Sequence, residues 1–478
     1  MRTAGWFGLI LLLGVVPPPP CAGQGTPAAW AAEDEVFYQI FVRSFRDSDG
    51  DRIGDLRGIE EKLGYLQDLG VTSLLLTPIN PSPFYHNYFA TSFEGVDPSY
   101  GKPADLARLI ADVHARKMKV YLDEEVQYVT GDHPWWRQSE NKPASEFSRF
   151  LLYHGPGNTQ PESAVFGITE APMWSGARAR LASVNMLDPG VVAYFENLFV
   201  SWIDPNGDGR FDDGVDGFRL DHMMDDLDLK KKLLRGAIAS FDARVIGEVL
   251  AHTAARTAPG KGHLLFIENH DLNRFATEVN GDIRKEKAGA ALTLLLKGTP
   301  QLYYGQEIGM KGRQSKEWGT DANDIPVREA FEWARREDAP GQATWYRETG
   351  AWWTGRYARD DDGISVEEQA QDPSSLLVYY RRLIGLRRSR AELTGGEQRV
   401  VAIDAPGVLA VARSTRGQAS LLLANLGESP ACIRLPRGGL PESLAGVRLR
   451  DLLAGGARTA GQGGCVELAP FEVRLLAR

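Results

Sequence analysis

Apolar and polar positions alternate along the chain in blocks that have either the period of a strand or the period of a helix. In the first third, strand-like blocks at residues 36–45, 71–79 and 119–126 alternate with helix-like blocks at 56–69 and 102–116. This alternation is typical of a parallel sheet whose strands are joined by crossover helices. The pattern therefore predicts an α/β fold.

Between residues 127 and 185 the period is lost, and the segment is rich in His, Trp, Gly and Pro. A loop of that length in a compact domain is usually functional or a small inserted domain. The regular blocks then resume, as strands at 217–221, 244–249, 264–269 and 300–304 and as helices at 189–203, 226–241, 283–297 and 374–388. From about residue 393, short β-rich runs separated by Gly and Pro turns predict a separate β module.

The length of 478 residues suits a large barrel with a smaller module. The net charge is −9, so neither nucleic acid nor a membrane surface is an expected partner. An apolar run at residues 7–16 is too short to span a membrane as a helix. Prolines and small residues follow this run, as at the end of a secretory signal peptide. We therefore expect a signal peptide over residues 1–23 and a secreted or periplasmic protein.

Removal of the signal peptide would leave two cysteines, Cys432 and Cys465, both in strand-like runs of the β module. In an exported protein such a pair can form a disulfide. A pair of buried free thiols is the alternative.

One strand block, residues 217–221, ends in a charged pair, Arg219 and Asp221. Residues two positions apart on a strand point to the same side. The guanidinium group should keep the carboxylate ionised at neutral pH. An ionised carboxylate at the carboxyl end of a strand can act as a nucleophile. A purely structural ion pair is the alternative.

Acidic residues alternate with glycines in two loops, a pattern that offers several hard oxygen atoms to a cation such as calcium. The candidate ligands are Asp47, Asp49, Asp51, Ile53 (through its carbonyl) and Asp55 in the first loop, and Asp204, Asn206 and Asp208 in the second. A solvated acidic turn and an Asx-rich turn are the respective alternatives.

Four motifs occur in a fixed order: residues 123–128, residues 217–221, Gly247-Glu248 and Asn269-His270-Asp271. Together with supporting stretches at 47–58, 86–88, 97–101 and 303–309, they resemble the α-amylase superfamily of glycoside hydrolases. The resemblance implies a (β/α)₈ TIM-type barrel over residues 24–126 and 186–390. It also implies a small inserted domain at 127–185, after the third strand, and a C-terminal antiparallel β-sandwich domain at 391–478.

The resemblance also implies the roles of individual residues. Asp221 would be the nucleophile, Glu248 the general acid/base and Asp271 the stabiliser of the transition state. The implied substrate-binding residues are Arg219, His270, Tyr88, His86, Asp123 and Tyr128. Retaining hydrolysis requires two carboxyl groups, one that attacks the sugar and one that transfers a proton. Because Glu248 lies in an otherwise apolar predicted strand, desolvation should raise its pKa and suit it to donate a proton.

The chain departs from the family pattern in three places. The third-strand motif ends in Gln127-Tyr128 where the family usually has Asn-His, and Asp225 stands where a His is common. Only 23 residues separate Glu248 from Asp271, which in the family lie on the fifth and seventh strands. A single crossover needs about a dozen residues. We therefore predict a shortened barrel that lacks the sixth strand.

The resemblance points to α-1,4-linked glucans, such as starch and maltooligosaccharides, as substrates. Export and two candidate calcium sites favour an α-amylase. We expect it to form a glycosyl-enzyme intermediate on Asp221 and to bind structural calcium. We also expect a monomer. An α-glucosidase or a glucanotransferase is the first alternative, because both use the same catalytic residues. A degenerate glucan-binding protein is the second, because the shortened barrel could have disturbed the site.

Overall fold

The computed structural model describes residues 34–163, 167–221, 243, 246–248, 250, 262–435, 440–454, 459–460 and 465–478. The expected signal peptide, the helix expected at 226–241 and Asp225 lie outside these residues. No helix in the described ranges is long and apolar enough to cross a lipid bilayer.

The strands before residue 304 belong to a large parallel sheet and a small antiparallel one. In chain order they are β1 (Phe37–Ile40), β2 (Ser73–Leu76), β3 (Lys119–Glu124), β4 (Tyr128–Thr130), β5 (Glu170–Pro172), β6 (Arg178–Ser183), β7 (Gly217–Leu220), β8 (Leu264–Leu265) and β9 (Thr299–Tyr303). The parallel sheet has the order β7-β3-β2-β1-β9-β8. This curled sheet of six strands forms part of a barrel and confirms the predicted α/β fold.

Among the described residues, the helices around the sheet are short apart from four that exceed ten residues. They are α1 (Val42–Phe45), α2 (Leu56–Glu61), α3 (Leu63–Leu69), α4 (Pro103–Ala115), α5 (Pro134–Ser139), α6 (Pro189–Ile203), α7 (Phe275–Glu278), α8 (Ile283–Leu295), α9 (Ala351–Thr354), α10 (Val366–Gln369), α11 (Leu376–Ser389) and α12 (Ala391–Thr394). In the described part of the chain, 3₁₀ helices cover Gln306–Ile308 and Asp321–Val327. The helix predicted at 56–69 is split at Lys62 into α2 and α3.

Helix α4 shows how sequence and packing agree in this layer. Pro103 occupies its first turn, and the Asp105 carboxylate accepts the backbone N–H of Lys102 at 2.8 Å. Both features stabilise a helix start. Leu106, Leu109 and Val113 recur at three- and four-residue spacing and are buried in the main core. Helix α4 therefore covers one face of the parallel sheet with its apolar side.

The prediction of a strand at residues 244–249 is wrong. Residues 243, 246–248 and 250, the part of this segment that is described, are helical. Ile246 and Leu250 are both buried in the main core, and residues four apart share a helix face. A short apolar run does not distinguish a strand from a buried helix by its period. Among the described residues between β7 and β8, none lies in a strand.

Two smaller units complete the chain. Strands β4, β6 and β5 form a three-stranded antiparallel sheet within the expected inserted domain. After residue 396 the strands are β10 (Glu397–Val400), β11 (Val408–Ser414), β12 (Ala419–Asn425), β13 (Ala431–Ile433), β14 (Leu449–Asp451), β15 (Thr459–Ala460), β16 (Val466–Leu468) and β17 (Val473–Ala477). They form a six-stranded sheet and a two-stranded sheet, in agreement with the predicted C-terminal sandwich.

The structure pairs Cys432 and Cys465 in a disulfide. The bond joins β13 to the residue before β16, and these strands also pair with each other through backbone hydrogen bonds. Both cysteines are exposed rather than buried. Of the two alternatives, the disulfide is therefore the one that the structure adopts.

Candidate active site

The site lies at the carboxyl ends of β3 and β7, which are adjacent parallel strands. Their register places Asp123 beside Arg219, and the Asp221 N–H continues the ladder to the Glu124 carbonyl at 2.9 Å. In parallel strands all carboxyl ends meet at one edge. The motif at residues 217–221 and the third-strand motif at residues 123–128 are thus brought together.

Arg219 connects two carboxylates. Its Nη1 donates to both oxygens of Asp123, at 2.7 and 2.9 Å, and its Nη2 lies 2.7 Å from Oδ1 of Asp221. Asp123 is fully buried, and this burial raises its pKa to about 6 although Arg219 opposes the rise. Arg219 therefore neutralises a buried acid and fixes the orientation of the predicted nucleophile.

Tyr88, in the loop after β2, links Asp123 to the His270 motif. Its hydroxyl donates to Asp123 Oδ2 at 2.8 Å and also lies 2.8 Å from Nε2 of His270. The Tyr88 and His270 rings are stacked, with centroids 5.3 Å apart. Burial lowers the pKa of His270 to about 4, so this imidazole is neutral at physiological pH. The two stacked rings form an aromatic floor beside Asp123 and Asp271.

Asp271, the residue after His270, is held between two partners. Its Oδ2 lies 3.1 Å from Nε2 of His270, and its Oδ1 lies 3.0 Å from Nη2 of Arg328. Burial alone would raise the pKa of Asp271, but His270 and Arg328 outweigh that effect and lower it. The carboxylate is therefore ionised, and its side chain is 45% exposed to solvent. It is available to a ligand.

Arg328 and Gln39 belong to this network, although the sequence motifs did not identify them. Arg328 is buried; besides Asp271, it contacts the His270 carbonyl at 2.9 Å and the Tyr85 hydroxyl at 2.8 Å. Gln39 Nε2 is 3.1 Å from Nδ1 of His270. The sequence did mark Gln39, because it is a polar residue inside the apolar strand β1. No comparable local signal marks Arg328, which ends an irregular segment after β9.

Glu248 lies on a helix and not on the strand expected for it. The described residues around it are helical, and its side chain is exposed. A Cβ atom on the preceding residue, Gly247, would lie 3.7 Å from Val400 and 4.0 Å from Leu409, both in the C-terminal sheet. The exposed side chain of Glu248 therefore lacks the apolar surroundings that the strand prediction implied. The sequence motif was found, but the strand that should carry it was not.

His86 and Tyr128 lie at the periphery of the network. His86 stacks on Phe84 with centroids 5.1 Å apart, and its Nε2 lies 3.9 Å from Oδ2 of Asp321. Tyr128 is buried in a small apolar cluster that includes Phe84 and Met173. Its ring packs 6.2 Å from that of Phe89. Tyr128 thus supports the aromatic loop after β2.

The first acidic loop gathers three carboxylates. Oxygen atoms of Asp47, Asp49 and Asp55 all lie within 4.8 Å of one another. Oxygens bound to one calcium ion at about 2.4 Å would be no farther apart than this. The spacing of the three carboxylates therefore fits calcium. Asp47 also accepts the backbone N–H of Gly50 at 2.7 Å, as in an Asx-rich turn. Within the described ranges the carboxylate set is the one group of three His, Cys, Asp or Glu residues with this spacing, and Asp51 is not part of it.

The second acidic loop is closed on itself. Asp204 accepts the backbone N–H groups of Asp208 and Gly209 at 3.1 and 2.8 Å. Asn206 accepts the same Asp208 N–H at 2.8 Å. These are the bonds of an Asx-rich turn, which was the alternative to a calcium site in this loop.

Comparison with known proteins supplies the family. The model for "Alpha amylase, catalytic domain" matches residues 39–233 and 227–396, which is more than half of the chain. The chain belongs to the alpha-amylase family. Membership makes it an enzyme that acts on glycosidic bonds, as a glycoside hydrolase or a transferase.

Individual relatives are distant but cover most of the chain. Alpha-amylase 3 of Dictyoglomus thermophilum is 27% identical over 450 aligned residues, covering 82% of this chain and 85% of the relative. Oligo-1,6-glucosidase of Heyndrickxia coagulans is 24% identical over 532 aligned residues, covering 84% and 93%. That alignment is longer than the chain of 478 residues, so the relative contains segments that this chain lacks.

The fold is also similar to that of a solved alpha-amylase structure. The alpha-amylase of H. orenii superposes with a TM-score of 0.71 at 24% identity, covering 93% of this chain and 99% of that one. The similarity confirms a TIM-type barrel architecture with a C-terminal β domain.

Proposed function

We propose that the protein hydrolyses α-1,4-linked glucans, such as starch and maltooligosaccharides, with retention of anomeric configuration. The observation that carries the proposal is the held carboxylate of Asp221, 2.7 Å from Arg219 and part of one network with Asp271. Retaining hydrolysis needs an ionised carboxylate at the anomeric carbon. The amylase among its relatives supports glucan as the substrate class.

In this proposal Asp221 attacks C1 of the sugar, and the glycosidic bond breaks as the leaving oxygen takes up a proton. Water then attacks the glycosyl-enzyme ester and releases the sugar and Asp221. Asp271 and the Tyr88–His270 floor hold the sugar while positive charge develops on its ring. The general acid/base role that the family resemblance gives to Glu248 requires this residue to come within roughly 5.5 Å of Asp221.

A covalent trap tests the proposal directly. 5-Fluoro-α-D-glucosyl fluoride forms glycosyl esters that hydrolyse slowly. Intact-mass measurement should show one added fluoroglucosyl group, and peptide mapping should place it on Asp221. The Asp221→Asn variant serves as the control and should remain unlabelled. A label on another carboxylate, or no label on a folded protein, would contradict the proposed role of Asp221.

We also propose that Asp47, Asp49 and Asp55 hold a structural calcium ion. A ligand that binds only the folded state stabilises it by about 2.7 kcal/mol at 100 times its Kd. We therefore expect added Ca²⁺ to raise the melting temperature of the chelated protein, and Asp47→Asn to abolish that rise. Asp68→Asn, an exposed acid on α3, is the matched control and should keep the rise. An equal calcium response in the parent and Asp47→Asn would refute this site.

A further inference from the structure

A buried glutamine, Gln39 on β1, lies on the face of the parallel sheet that carries the candidate site. Its register continues through β2 to Tyr121 on β3 and Gly217 on β7. Asp123 and Arg219 follow two residues later on β3 and β7, so they share this face. Gln39 is 2% exposed, and a buried amide needs a hydrogen-bond partner at each end. The partners of Gln39 therefore indicate what it does.

The two ends of the Gln39 amide have different partners. Its Nε2 lies 3.1 Å from Nδ1 of His270. Its Oε1 accepts an N–H from the side chain of Gln301, on β9, at 3.3 Å. Gln301 is buried as well. Because Gln301 donates to the oxygen of the Gln39 amide, the nitrogen of that amide is the end that faces His270.

The other nitrogen of the His270 ring faces two acceptors. Nε2 of His270 lies 3.1 Å from Oδ2 of Asp271 and 2.8 Å from the Tyr88 hydroxyl oxygen. An ionised carboxylate has no proton to donate. The single proton of the Tyr88 hydroxyl is already donated to Asp123, at 2.8 Å. Nε2 must therefore carry the ring proton, and in a neutral imidazole Nδ1 is then an acceptor for the Gln39 N–H.

These bonds form one chain in which every donor meets an acceptor. Gln301 donates to Gln39, Gln39 to His270, His270 to Tyr88 and Asp271, and Tyr88 to Asp123. The opposite tautomer of His270 would place Nδ1–H against the Gln39 N–H. It would also turn a bare Nε2 towards the Asp271 carboxylate. Both contacts would be repulsive, and buried groups would lose their hydrogen bonds.

We infer that Gln39 is a positioning residue that keeps His270 neutral and in the tautomer with the proton on Nε2. The protonated nitrogen of a histidine ring is set by the hydrogen bond that the other nitrogen makes. In this tautomer His270 holds the Asp271 carboxylate by an N–H. A neutral ring also adds no positive charge where positive charge develops on the sugar during glycoside hydrolysis. The effect on rate rests on the proposed hydrolysis, whereas the tautomer can be measured without it.

Gln39 also opposes protonation of His270, because its N–H needs the lone pair of Nδ1. A hydrogen bond to the neutral form of a group disfavours the charged form. The other charged or titratable groups around His270 are Asp271 on the same segment, Arg219 and Asp221 at the end of β7, Arg328 after β9, and His86 and Tyr88 after β2. All of them remain when Gln39 is replaced. A changed titration of His270 would therefore report on the lost Gln39 N–H.

Nitrogen NMR of the protein with isotope-labelled histidine rings tests the tautomer independently of activity. At pH 7 we expect Nε2 of His270 to resonate as a protonated nitrogen and Nδ1 as an unprotonated one. A His270→Gln sample assigns the two signals. The reverse pattern, or two protonated nitrogens, would overturn the inference. This measurement uses the parent protein and does not depend on the folding of a Gln39 variant.

Gln39→Leu tests the role of Gln39 itself. The variant keeps an apolar side chain of similar size but lacks the N–H donor. We expect the titration midpoint of His270 to rise by about one pH unit, the equivalent of one hydrogen bond. The matched control is Gln306→Leu, because Gln306 is a buried glutamine that donates to the Tyr380 hydroxyl at 2.8 Å. An unchanged midpoint in folded Gln39→Leu, or an equal rise in the control, would overturn the role given to Gln39.

The pH profile of hydrolysis connects the tautomer to the reaction. With 4-nitrophenyl α-maltopentaoside as substrate, kcat/KM of Gln39→Leu should fall about threefold more than that of the parent between pH 7.5 and pH 4.5. Gln306→Leu should keep the profile of the parent. A raised His270 midpoint with an unchanged profile would overturn the link to the reaction. An inactive parent would contradict the proposed function, and the NMR signals would still decide the tautomer.

Discussion

Replacing Asp221 with asparagine is expected to lower kcat by about 10⁴-fold or more, since an amide cannot form the glycosyl ester. The substitution keeps the shape of the side chain, and its Oδ1 can still accept the Arg219 N–H that lies 2.7 Å away. Folding should therefore be preserved. The rate is best measured with α-glucosyl fluoride, whose leaving group needs no protonation, so that the measurement reports on the nucleophile alone.

The matched control for this prediction is Asp212→Asn. Asp212 is exposed and pairs with Arg210 at 2.7 Å on the surface. Its replacement should leave kcat within about twofold of the parent, because surface substitutions away from special features have small effects. Fluoride hydrolysis by Asp221→Asn at a rate within tenfold of the parent, after removal of any contaminating enzyme, would show that another group attacks the sugar.

Local sequence predicted the part of the site that strands create. Arg219 and Asp221 share a side because strands have a period of two. Asp123 was expected at the site from the family resemblance, and it meets them because neighbouring parallel strands end together. Arg328 was missed because its role arises from a contact between distant loops. The contact between the Trp174 N–H and the Asp321 carboxylate is of the same kind. No period or spacing encodes which loop will touch which.

The error at Glu248 has a different physical origin. Residues 244–249 form a short apolar run that satisfies a strand and a buried helix equally well. The family motif favoured a strand, but the chain is short between β7 and β8, and Ile246 and Leu250 reach the main core with helical spacing. Where a barrel has lost a segment, the neighbouring residues pack against whatever apolar surface remains. Local motifs do not contain that information.

Replacing Arg219 with methionine is expected to destabilise the fold by about 3–5 kcal/mol at pH 7.5, because it leaves a buried carboxylate without its partner. Asp123 is fully buried. Its pKa in the folded protein is already about 6, above the unfolded value of about 3.9. This carboxyl group therefore contributes stability below pH 4 that is lost as pH rises through 6. Without Arg219 its pKa rises further, and the loss continues above pH 6.

The expected signature is thus a destabilisation that grows with pH, by up to about 1.4 kcal/mol per pH unit above 6. Urea unfolding of the parent and Arg219→Met at pH 5 and pH 8 measures it. Arg210→Met controls for loss of an arginine, since that ion pair is exposed and should be worth less than about 1 kcal/mol. The double variant Asp123→Asn/Arg219→Met removes the fully buried carboxylate and should lose most of the pH dependence. A destabilisation of Arg219→Met that is equal at both pH values would mean that Arg219 acts through packing, and that Asp123 is compensated by another group.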